Sequence, residues 1–136
     1  MEARLPVIAA DMLTSPSGAV LLAGNSHAEL AENSSPSTCT PWVNAGIAGT
    51  KARDYATAID RITEPARFRL AVLLTGTNDI MRRDKPLSQS SKARFAADVA
   101  HILVWLRKRT DEVIVAAVPP VGIAATRRRE PAAVPV

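Results

Sequence analysis

Three short polar clusters interrupt the apolar runs of this chain: Gly24-Asn25-Ser26, the stretch from Asn44 to Thr50 that contains Gly49, and Gly76-Thr77-Asn78-Asp79. Their residue types are those of acyl transfer. A serine hydroxyl attacks a carbonyl carbon once a base takes its proton. The tetrahedral oxyanion then needs about two or three hydrogen-bond donors, each worth roughly 3 to 4 kcal/mol of barrier. Ser26 offers a hydroxyl and a backbone N–H, Gly49 a second N–H, and Asn78 a side-chain amide. Glycine suits the second role because a backbone that approaches a ligand closely tolerates no Cβ. Asparagine suits the third because it donates without a charge that must be neutralised.

The same residues have plainer explanations. Ser26-His27-Ala28-Glu29 matches the Ser-x-x-Glu capping box, in which the two side chains satisfy backbone donors at a helix start. Asn-Asp after a strand is ordinary turn chemistry. Cys39, the single cysteine, excludes an intrachain disulfide and reads as a small residue in the Ser/Thr/Pro-rich loop at 34–41 rather than as a reactive thiol.

The elements that must position these clusters follow from hydropathy. Residues 19–24 (AVLLAG) and 69–76 (RLAVLLTG) are continuously apolar and predict strands buried on both faces, while 42–47 (WVNAGI) and 112–120 (EVIVAAVPP) predict two more. Between them, 51–62 carries apolar residues at Ala52, Tyr55, Ala56, Ile59 and Ile62, which is helical spacing. A long helix from about 90 to 109 presents Phe95, Val99, Ile102, Leu103 and Leu106 as one stripe. Strands alternating with helices imply βαβ units and a parallel sheet with right-handed crossovers. In such sheets ligands bind beyond the carboxyl ends of the strands, where all three polar clusters fall.

At 136 residues the chain is one domain's worth, with 47% hydrophobic and 22% charged residues and no apolar run long enough to span a membrane. The division expected is an N-terminal extension at 1–18, an α/β domain at 19–122, and a basic, proline-containing tail at 123–136 without order. The formal charge of +4 owes much to Arg127, Arg128 and Arg129, and no aromatic residue stands beside that cluster, which argues against a nucleic-acid partner. The opening MEARLPVIAADM lacks the apolar core of a secretory signal, so the expected location is cytoplasmic unless a longer parent is exported. No Gly-x-Gly-x-x-Gly or Walker pattern supports a phosphate-binding alternative.

Taken together, Gly24-Asn25-Ser26, NAGIAG with Gly49, GTND with Asn78, and VPP at 118–120 resemble the motif blocks of the SGNH (GDSL-type) hydrolases over about residues 19–122. The resemblance implies a flavodoxin-like three-layer α/β/α sandwich with a parallel sheet of about four strands. It implies a serine esterase, lipase or deacetylase acting on a small acyl ester or an acetylated sugar, without metal or other cofactor. Carried over by position, Ser26 is the nucleophile and first oxyanion donor, Gly49 the second and Asn78 the third. The family's aspartate before the serine is Asn25 here.

The family takes its base from an Asp-x-x-His segment after a fifth strand. Asp98-Val99-Ala100-His101 has the bare pattern but lies within the long helix before the fourth strand. Helical geometry puts His101 about 140° from the centre of the apolar stripe, facing solvent, and roughly 15 Å from the helix end nearest the strand termini. His27 adjoins Ser26, and helical neighbours at i and i+1 do not face each other. After residue 120 no further strand or histidine is legible, so by the resemblance the chain reads as cut short before the base. The alternative to an impaired enzyme is a non-catalytic binding module that keeps the oxyanion pocket. The fourth strand is then a bare edge, open to self-association.

Overall fold

The computed structural model describes residues 1–31 and 40–134. Cys39 and most of the loop read at 34–41 lie outside the described residues. Four strands, β1 (Val20–Gly24), β2 (Trp42–Gly46), β3 (Leu70–Leu74) and β4 (Val113–Val115), form one parallel sheet in the order β2-β1-β3-β4. Gly24 stands opposite both Gly46 and Leu74, so the three neighbouring strands end at one level. The chain is an α/β fold of the flavodoxin-like sandwich type. Residues 112–120 give a shorter strand than their apolarity predicts. Ala116 still donates to the Leu73 carbonyl at 2.9 Å, but Pro119 and Pro120 have no N–H with which to extend the ladder.

Strand register sorts the two faces of the sheet, since paired residues point to the same side. On one side Leu21, Ala23, Ala45 and Leu73 pack with Tyr55 and Ile59 of α3 (Ala52–Ile59) and with Ile102 and Leu106 of α4 (Gln89–Arg107). On the other side Leu22 and Asn44 lie under α2 (Ser26–Leu30), while Val72 and its neighbours Leu70 and Leu74 stay half-exposed. Sequence reading had β3 buried on both faces. Its burial alternates instead, because the short α2 packs chiefly over β1 and β2 and leaves that face of β3 less covered.

Two terminal segments depart from expectation. Residues 4–14, inside the stretch read as an extension, form α1 (Arg4–Thr14), and Leu5, Ile8 and Met12 enter the main core. Pro6 is tolerated there because first-turn N–H groups have no helical partner. Arg4 then reaches the outer edge of β2, donating from Nη2 to the Asn44 carbonyl at 2.8 Å and from Nε to the Gly46 carbonyl at 3.1 Å. The tail read as lacking order is strapped to residues 77–82. Arg82 donates through its backbone to Arg128 (2.8 Å) and pairs with Glu130 (2.8 Å), and Glu130 N–H donates to Ile80 (2.8 Å). No helix among the described residues is long and apolar enough to cross a membrane.

Candidate active site at the strand ends

The turn after β1 requires its glycine. Gly24 has φ +130, and a Cβ there would run into the Leu74 carbonyl of the neighbouring strand. Asn25 N–H donates to that same carbonyl at 2.9 Å, and Asn25 Oδ1 accepts from the His27 N–H at 3.0 Å. Asn25 is therefore the N-cap of α2 and Ser26 its first helical residue. This corrects the capping-box reading: Asn caps at least as well as Ser, and here it takes the position one residue earlier. Glu29 is also diverted, its carboxylate accepting the Ala48 N–H of the loop after β2. Ser26 is half-buried, with no partner for its hydroxyl or its N–H among the described residues. Asn25 Nδ2 is buried and without a partner as well.

The second cluster is built around Asn44, which is buried in β2. Its Nδ2 donates to the Ala28 and Glu29 carbonyls at 3.0 Å each, and its Oδ1 accepts the Gly46 N–H at 2.9 Å. One side chain thus fixes α2, and with it Ser26, to the end of β2. Ile47 N–H donates to the Gly24 carbonyl at 2.8 Å, and the Thr50 hydroxyl closes the loop on the Ile47 carbonyl at 2.7 Å. Gly49 sits at the exposed tip with φ +78, and its N–H has no acceptor among the described residues.

The third cluster meets the second directly. Asn78 Nδ2 donates to the Thr50 carbonyl at 2.9 Å. An amide nitrogen carries two hydrogens, and the other has no acceptor among the described residues. The structure therefore ties Asn78 to the Gly49-Thr50 loop, and places Ser26 beyond β1 at the same end of the sheet. Free donors at all three positions are what a developing oxyanion requires.

Neither histidine completes a catalytic pair. His101 Nε2 lies 2.7 Å from Asp60 Oδ1 in an exposed pair that joins α4 to the C-terminal end of α3. The N-terminal end of α3 is the one at the strand ends, because Ala52 N–H donates to Asp79. The eight residues of α3 carry Asp60 about 12 Å away from that level. His27 is exposed, with no ring hydrogen bond among the described residues.

Asp79 is the residue that sequence reasoning passed over, although it stands within the GTND motif. Both carboxylate oxygens accept the Ala52 N–H at 3.1 Å, capping α3. Burial pushes its pKa up to about 6, aided by the negative charges of Asp98 and Asp54 and opposed by the Ala52 hydrogen bond and by Lys51. Asp79 also lines a cavity of about 680 Å³ between β4, the first half of α4 and the tail. Ser26, Gly49 and Asn78 are not among its lining residues. This hollow and the donor cluster are thus separate, both reached from the turn after β3.

No family model and no curated protein matches this sequence. Among solved structures, one described as "a putative platelet activating factor from Streptococcus pneumonia" aligns over 90% of the chain with a TM-score of 0.65 and 21% identity. The two proteins share a fold. The chain spans 56% of that neighbour's length.

Proposed function

We propose that the strand-end cluster is a serine ester hydrolase site of the SGNH type, with Ser26 as nucleophile and with Ser26 N–H, Gly49 N–H and the Asn78 amide as oxyanion donors. Its substrate class is a small acyl ester or an acetylated sugar. The observation that carries the reading is that the Ser26 and Gly49 N–H groups and one hydrogen of the Asn78 amide lack acceptors among the described residues, while the other Asn78 hydrogen holds the Gly49 loop through a 2.9 Å bond to the Thr50 carbonyl. Donors fixed before the reaction stabilise developing charge without reorganising, which is the main source of such catalysis.

Neither of the chain's two histidines is placed to take the Ser26 proton, so turnover by these residues alone is slow. Serine hydrolases stripped of their triad retain on the order of 10³–10⁴-fold acceleration over water from the oxyanion hole and binding. The test is p-nitrophenol release from a short-chain acyl ester above buffer background, compared among wild type, Ser26→Ala and Asn78→Ala. Both variants are expected to lower the rate, Ser26→Ala by removing the nucleophile and Asn78→Ala by removing an oxyanion donor. Rates unchanged by either would refute the hydrolase assignment. The second reading is a binding module that keeps the oxyanion pocket, favoured by the placement of His101 on Asp60. It predicts no turnover and no labelling of Ser26 by a fluorophosphonate probe.

A further inference from the structure

The two edges of the sheet are treated differently. At the β2 edge, Arg4 takes up the Asn44 and Gly46 carbonyls. At the β4 edge, residues 113–117 read VIVAA, with neither a charge nor a proline. Edge strands are ordinarily blunted by such residues, and a bare apolar edge is a template for another strand. Ile114 and Val115 point to opposite faces of β4, and both are exposed.

The ladder to β3 fixes which main-chain groups are free. Ala71 N–H donates to the Glu112 carbonyl at 3.0 Å, and Ala116 N–H to the Leu73 carbonyl at 2.9 Å. Successive residues of a strand send these groups to opposite sides, so Glu112, Ile114 and Ala116 face β3. The N–H and C=O groups of Val113, Val115 and Ala117 therefore point away from the sheet, with no partner among the described residues. Pro119 and Pro120 lack an N–H and end the usable edge, which leaves Val115 as the middle of three free positions.

Charge distinguishes the strand that fits there. At the start of β4, Asp111 is paired with Arg67, while Glu112 beside it is exposed without an ion-pair partner among the described residues. Arg127 and Arg128 are exposed at the opposite level, that of the strand ends, where Arg82 N–H donates to the Arg128 carbonyl. We propose that β4 is the interface of a twofold homodimer, pairing antiparallel with β4 of a second copy about Val115. In that register Val113 meets Ala117 of the second copy and Val115 meets its own counterpart, so all three free positions of each strand are used. Two four-stranded sheets become one. Antiparallel pairing carries each Glu112 to the level of the other copy's Arg127 and Arg128, whereas parallel pairing would set Glu112 against Glu112. A second copy brings the matching charges by necessity, because the interface is isologous. The proposal does not depend on the chemistry at Ser26.

The test is sedimentation velocity of the full chain over a concentration series. Wild type and Ser26→Ala are expected to pass from monomer to a species of twice the mass. Val115→Pro deletes the N–H on the axis in both copies and leaves the β3 ladder intact, so association should weaken at least about tenfold while circular dichroism stays that of wild type. Glu112→Arg should weaken it severalfold, and adding Arg127→Glu and Arg128→Glu to that variant should restore it. In a Cys39→Ser background, Val115→Cys should form an interchain disulfide on mild oxidation, because residues paired across the axis lie within bridging distance, and Val113→Cys should not. The assignment would be overturned by a wild type that stays monomeric, whether or not an added valine-rich peptide binds the edge. A dimer indifferent to Val115→Pro, charge reversal without recovery, or cross-linking at Val113 in place of Val115 would overturn it equally.

Discussion

At the ends of β1, β2 and β3, the side chains of Asn25, Asn44, Thr50, Asn78 and Asp79 each hold a backbone group of a neighbouring segment. Along β4, Ile114 and Val115 are 53% and 52% exposed, and among the described residues only β3 pairs with the strand. One half of the sheet is a fixed frame whose remaining free groups are donors. The other half is apolar, partly wet and bordered by a cavity. The contrast shows how one domain keeps rigidity and accessibility apart: positions that hold hydrogen-bond geometry are laced by polar side chains, and the apolar positions of the edge strand are left uncovered.

The frame should break first at Gly24. Gly24→Ala forces both an unfavourable φ and a collision with the Leu74 carbonyl, so a loss of about 4 kcal/mol or more is expected, measured by urea unfolding. Gly49→Ala is the internal control: its φ of +78 is unfavourable but its surroundings are open, and about 1 kcal/mol is expected. A loss at Gly24 no larger than at Gly49 would mean the turn after β1 is not the rigid element described. Next comes Asn44→Ala, which takes one donor from each of the Ala28 and Glu29 carbonyls and the acceptor from the Gly46 N–H and should cost about 3 kcal/mol by the same measurement.

Asp79 sharpens the comparison because it belongs to both regions. Its pKa is raised from 3.8 to about 6 in the folded chain, so the folded state holds more protons than the unfolded state across that window. Its contribution to stability is therefore greatest below about pH 4 and falls as pH rises to about 6. Asp79→Asn keeps an acceptor for Ala52 and removes the charge. It is expected to melt higher than wild type at pH 7.5 and within error of it at pH 4, by calorimetry. The smallest stability effect is expected on the open flank: Ile114→Lys should change stability by less than about 0.5 kcal/mol. It should also abolish any concentration-dependent association seen by light scattering. Association that survives the lysine would move the sticky surface away from β4.

What the sequence disclosed was mostly what continuous apolar runs encode. The four strands, their parallel arrangement and the α4 stripe were legible because local apolar patterns and the alternation of strands with helices encode them, and His101 was placed on the solvent side by helical angle alone. α1 was not read as a helix, because its apolar stretch is short and lies between charged residues, although Leu5, Ile8 and Met12 recur at helical spacing. The N-cap of α2 was misassigned by one residue because Asn25 and Ser26 are both good caps, and only the hydrogen bond to His27 decides between them. The long-range items were not legible at all. Nothing local pairs Arg82 with Glu130, sends Glu29 to Ala48, or lowers Asp79 into a partly buried corner beside Asp98. The roles of Ser26, Gly49 and Asn78 remain the proposal to be tested by the ester assay.

The grip of Arg4 on the Asn44 and Gly46 carbonyls has a consequence for assembly. A polypeptide ladder lengthens indefinitely when each member offers two vacant margins, one to receive and one to be received. Here two carbonyls of the β2 margin are already occupied by a guanidinium from the same molecule, so an incoming strand would find those acceptors taken.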